Sequence, residues 1–141
     1  MEQQTEDRIR EKLNLIDSSL DRVDENLPDT FEEFQQLDIE KDGVYKNVKT
    51  AIQAAYDICA MIVKAESLGV PEDESGFPDL LAEDDIISSE LSESLKDMKG
   101  FRNALARRYG SIDDEVAYRN IVEGLGDFEV FRREVREYIK K

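Results

Sequence analysis

The chain has 141 residues and a mass of 16.2 kDa, and its 34 acidic against 19 basic side chains give a formal charge of −15. That length fits a single domain over residues 1–141, and a chain of this size buries roughly two-thirds of its unfolded surface without needing a staple. An apolar share of 40% excludes an obligately disordered acidic chain, and no run reaches the roughly 18 apolar residues of a membrane span. The opening segment, Met1 to Asp7, has neither the basic start nor the apolar core of a signal peptide, so a cytoplasmic location is expected. With Cys59 alone and no histidine, an intramolecular disulfide, a Cys/His metal cage and histidine acid–base chemistry are all excluded. Neither a metal nor a cofactor is expected.

In chain order, Ile9, Leu13, Ile16, Leu20, Val23 and Leu27 recur at alternating spacings of four and three, one seam of a long helix that ends near Pro28. Thr30 is placed to cap a short helix carrying Phe31, Phe34 and Leu37, with Glu32 and Glu33 in its first turn. Tyr45, Val48, Ile52, Ala55, Cys59 and Ile62 predict a second long helix running to Leu68, stopped by Gly69 and Pro71. Cys59 lies on that seam and reads as a packed, inert thiol. Residues 69–79 read as an exposed loop, since they hold two glycines, two prolines and four acids.

Beyond that loop, Asp79 is expected to cap a short helix over Leu80, Leu81 and Ile86 or Ile87. Ser88 or Ser89 caps the next helix, which carries Leu91, Leu95, Met98, Leu105 and Tyr109 inward and stops at Gly110. Asp113 caps the last helix, with Ile121, Leu125, Phe128, Val135 and Tyr138 or Ile139 on its inner stripe. Gly124 and Gly126 mark a bend in it or a close approach of a neighbour. No alternating strand pattern occurs. The reading is all-α, an up-and-down bundle of four main helices plus one or two short ones.

Charge is uneven along the chain: residues 1–98 carry 26 acids and 9 bases, whereas residues 99–141 carry 8 acids and 10 bases. The two parts are therefore at −17 and +2, which places any anion site in the last third. One residue there breaks its own pattern, because the stripe 91, 95, 98, 105, 109 requires an apolar side chain at 102 and the residue is arginine. A guanidinium on a buried seam is costly unless paired. Arg102 therefore reaches a carboxylate on a neighbouring helix, such as Asp57, or faces a cleft or subunit interface where an anion sits. Gly100 above it leaves room for another backbone. Arg107 and Arg108 come next, either as phosphate ligands with Arg102 or as cations complementing a helix C-terminus, and Tyr109 is either a core aromatic or part of the site.

These residues carry a resemblance. The segments 54–63 (AAYDICAMIV), 68–71 (LGVP), 86–91 (IISSEL) and above all 98–110 (MKGFRNALARRYG) are similar to the HepT-like branch of the HEPN superfamily, small helical toxins encoded beside a minimal nucleotidyltransferase. The family signature is an arginine, usually followed by asparagine, then four residues later a histidine, one more residue and a tyrosine. Arg102, Asn103 and Tyr109 fall on matching positions, but the histidine position holds Arg107. The resemblance implies a homodimer whose shared cleft cleaves RNA without metal, the arginine stabilising charge on the scissile phosphate while histidine moves the proton of the attacking 2′-hydroxyl. It also implies an MntA-like nucleotidyltransferase antitoxin as partner, and Tyr109 as the residue that partner modifies with AMP. Arg107 cannot take histidine's role, since it keeps its proton at any working pH. Tyr109 or a carboxylate such as Asp113 would be a poor substitute, so nuclease activity is expected to be reduced or lost. The alternative is a catalytically silent homodimer that binds the nucleotidyltransferase, a nucleotide or RNA through the same arginine-lined cleft.

Overall fold

The computed structural model describes residues 1–107 and 113–141. The described residues form helices α1 (Gln3–Asn26), α2 (Phe31–Gln35), α3 (Ile39–Ala65), α4 (Gly76–Glu83), α5 (Ser89–Ala106) and α6 (Asp114–Lys140), four long and two short. None is long and apolar enough to cross a membrane. The seams read from spacing are the buried ones: Ile9, Leu13, Ile16, Leu20 and Val23 of α1 lie against α3, whose Tyr45, Val48, Ile52, Ala55, Cys59 and Ile62 are all buried. Leu91, Leu95, Met98 and Leu105 of α5 and Ile121, Phe128 and Val135 of α6 complete the core.

The ends of the elements follow from local chemistry. Thr30 Oγ1 accepts a hydrogen bond from the Glu33 amide and donates to the Glu33 carboxylate, capping α2. Ser88 caps α5 by accepting from the Leu91 amide, and Asp113 caps α6 by accepting from the amides of Glu115 and Val116. Five-residue α2 is too short to persist alone. It is held by Phe34, which is fully buried with its ring centroid 5.1 Å from Tyr118 and 5.8 Å from Tyr45. Tyr118 also donates to the Pro28 carbonyl at 2.6 Å, and Asp114 accepts from Tyr45 and Lys41, so the start of α6 is tied to the corner between α1 and α3. Toward its far end, α6 is tied to α1 through Arg132 and Arg136 on Asp17, and to the start of α5 through Glu134 on Ser88.

Several expectations are corrected. α3 begins at Ile39 rather than near Tyr45, and it ends at Ala65, three residues short of Leu68. Its stop is Ser67 in the left-handed region at φ 54°, with the Leu68 amide donating back to the Val63 carbonyl; Gly69 lies beyond. Asp79 caps nothing: α4 starts at Gly76, inside the stretch read as loop, and Asp79 sits in its first turn, accepting from Ser92 and Lys96 of α5. Ile87 is the buried member of its pair, while Ile86 is only partly buried. Gly124 and Gly126 mark no close approach of a neighbour, for a Cβ at either would meet nothing within 4 Å, and α6 runs through both without interruption; the same openness holds at Gly100. Phe131, absent from the expected stripe, is fully buried.

Candidate functional site

Arg102 sits on α5 one turn after Met98, and its guanidinium is held by side chains from α3, from α5 itself and from the connection before α4, while still lining a groove. Nη2 donates to Glu74 Oε1 at 2.6 Å, and Nη1 donates to Gln53 Oε1 of α3 at 2.8 Å. Nε and Nη2 both donate to the Oδ1 of Asn103, at 3.3 and 3.1 Å. The Tyr56 ring lies against the guanidinium, its centroid 5.7 Å from Cζ. Tyr56 is itself anchored by donating to the Leu95 carbonyl at 2.8 Å. Burial above all, reinforced by Cys59 and Glu74, raises its phenol far above the ordinary range, so it stays protonated.

The seam arginine is thus paired, as a buried guanidinium must be. Its acid is Glu74, from the connection between α3 and α4, and not Asp57. Asp57 instead accepts from Gln53 at 3.0 Å and from Lys12 of α1 at 3.1 Å. The result is a continuous hydrogen-bonded row, Arg102 to Gln53 to Asp57 to Lys12, crossing α5, α3 and α1. It forms the floor of a groove of about 490 Å³ that Lys49 and Ala106 also line. A larger groove, about 750 Å³, runs between α5 and α6 past Gly100, Phe101 and Asp113. Its charged lining is Lys96 against Asp97, Asp113, Glu123 and Asp127, so it repels a polyanion, whereas the groove at Arg102 sets three cations against one acid.

Among the residues singled out in the sequence, Arg102 and Asn103 are brought together by direct hydrogen bonds, with Asn103 orienting the guanidinium. Arg107 is exposed at the C-cap of α5, five residues on and therefore about 140° around the helix from Arg102. Arg108, Tyr109 and Gly110, the expected stop, lie outside the described residues; α5 spans Ser89–Ala106 with Arg107 as its C-cap. Periodicity missed Glu74, Gln53 and Tyr56. Gln53 and Tyr56 are off the α3 seam, and Glu74 belongs to a segment without repeat; its one signal was an acid among acids.

The family model described as Ribonuclease HepT-like matches residues 16–135, a span that includes Arg102, Asn103 and Arg107. The chain belongs to this family. A relative from Archaeoglobus fulgidus, named "Putative RNase", is 33% identical over 135 residues, which is 96% of either chain. The mRNA nuclease HepT of Shewanella oneidensis is 29% identical over 125 residues, 89% of this chain and 93% of that one. Among solved structures, the tri-AMPylated Shewanella oneidensis HEPN toxin in complex with MNT antitoxin superposes with a TM-score of 0.86 at 26% identity, covering 97% of this chain and 99% of that one. The HepT-like fold expected from the resemblance is therefore the fold found.

Proposed function

We propose that this HepT-like chain is the toxin component of a toxin–antitoxin module, an RNA-cleaving homodimer in the cytoplasm regulated by an MntA-like nucleotidyltransferase that transfers AMP to Tyr109. The observation that carries the reading is the preorganised Arg102, clamped by Glu74, Asn103 and Gln53 at the edge of a cationic groove in an otherwise acidic chain. A guanidinium held in that way stabilises charge developing on a scissile phosphate without reorganising. Arg102, Arg107 and Arg108 are the proposed phosphate ligands, with Asn103 as the residue that positions Arg102. Because arginine replaces histidine at 107 and holds its proton, cleavage should run about 10²–10⁴-fold below that of a histidine-bearing relative.

The same substitution favours a second reading, a silent dimer that binds its nucleotidyltransferase partner or RNA without cutting. Incubating purified protein with mixed RNA in excess chelator, beside Arg102→Ala and Arg107→His, separates the two. Cleavage by wild type that disappears in Arg102→Ala supports the nuclease. Cleavage only in Arg107→His supports the silent dimer, and none in any of the three overturns the nuclease reading. Transfer of AMP from a purified MntA-like partner to wild type but not to Tyr109→Phe is the expected outcome for the regulatory half.

A further inference from the structure

If the chain cleaves RNA, something must accept the proton of the attacking 2′-hydroxyl, and neither a histidine nor Arg107 can. The acids around Arg102 narrow the choice. Asp57 has both carboxylate oxygens engaged, one by Gln53 and the other by Lys12. Asp113 is committed to capping α6 and lines the other groove. Tyr56 has its hydroxyl buried on the Leu95 carbonyl. Glu74 is set apart by touching Arg102 itself: its Oε1 receives the guanidinium while, among the described residues, Oε2 accepts no hydrogen bond, on a side chain 32% exposed.

Resting on the nuclease reading above, we propose that Glu74 is the proton acceptor that stands in for the missing histidine. The carboxylate touches the guanidinium that would hold the scissile phosphate, and the proposal places the 2′-hydroxyl of the same nucleotide against Oε2, at the Arg102 end of the groove. Its position is set by the backbone and not by chance: the Glu74 carbonyl accepts from the Phe77 amide, the Asp73 carboxylate accepts from the Ser75 amide, and Ser75 Oγ accepts from Lys99 of α5 at 2.8 Å. The bond from O2′ to phosphorus forms as the bond from phosphorus to O5′ breaks. The O2′ proton passes to Glu74 Oε2, and the departing O5′ takes a proton from water. The products are a 2′,3′-cyclic phosphate and a 5′-hydroxyl, with Arg102 balancing charge on the phosphoryl oxygens throughout.

Glu74→Gln keeps an acceptor oxygen for Arg102 while removing the basic function and, with it, the negative charge that offsets the guanidinium. Single-turnover cleavage of RNA in chelator by wild type and by this variant is measured beside the affinity of each for the same RNA carrying 2′-O-methyl groups, which cannot react. The proposal expects a rate loss of about 10²-fold or more in Glu74→Gln, with affinity equal to or above that of wild type, since one negative charge beside the phosphate is gone. An unchanged or faster rate makes Glu74 a mere counter-ion, and overturns the proposal while leaving the nuclease intact. A parallel fall in rate and affinity gives it a structural role and also overturns the proposal. No wild-type cleavage overturns the nuclease reading and the proposal with it.

Discussion

Cys59 is fully buried on the α3 seam, and burial pushes its thiol up to about 12, so the thiolate that reacts with disulfide reagents is scarce in the folded chain. A thiol-specific chromogenic reagent should label native protein at a small fraction of the rate for denatured protein; rapid native labelling would mean that α3 opens locally. Ser67 makes the opposite kind of statement, since it holds a left-handed conformation at φ 54° that glycine adopts without strain. Ser67→Gly should therefore stabilise the fold by roughly 0.5–1 kcal/mol, read as a higher midpoint in urea. At this scale the sequence disclosed the site in half. Arg102 announced itself by interrupting an apolar stripe, and its pairing with some carboxylate follows from the cost of a buried charge. Which carboxylate does not follow, because Glu74 reaches Arg102 from a segment whose spacing carries no period, and the contact exists only once α4 has packed on α5.

The helices were legible where their seams are buried and illegible where they are not. α3 was expected to begin near Tyr45 because its true first residue, Ile39, is 79% exposed and adds nothing to the inward stripe. α4 was hidden for a different reason. Gly76 and Pro78 read as breakers, yet both lie in the first turn of α4, where amides have no partner within the helix and proline costs nothing. α2 shows how tertiary contact overrides length, its five residues being retained by Phe34. Phe34→Ala should cost about 3–5 kcal/mol. Exchange of the α2 amides, followed by mass spectrometry, should rise most; protection left intact would mean that Phe31 and Leu37 suffice.

For the whole molecule, the dominant quantity is a charge of −15 packed into 16.2 kDa. Self-repulsion at that density opposes compactness and is screened by salt more readily than close ion pairs such as Lys41 on Asp114, only 15% and 31% exposed. The thermal midpoint should thus rise as sodium chloride goes from about 20 to 500 mM, over which the screening length shrinks severalfold. A fall would show that ion pairs between helices, such as those of Asp17 with Arg132 and Arg136, carry more of the stability than the net charge removes. The proposed homodimer belongs to the same scale, and sedimentation at micromolar concentration should give twice the mass of the chain. A monomer would leave each cleft with one Arg102 instead of two.

Gly76 opens α4 directly beneath Pro71, so close that a Cβ there would come within 2.5 Å of the proline Cβ. Positions 71 and 76 therefore behave as one unit under mutation. Gly76→Ala alone forces the Pro71 ring or the chain between them to shift, and the expected outcome is that Glu74, which lies in that chain, loses its place on Arg102. Pro71→Gly in the same molecule clears the space and should restore what the first change took. Such second-site suppression, five residues apart and touching no proposed ligand of RNA, would make the chain's tolerance of change at this turn a readout of where Glu74 has to stand.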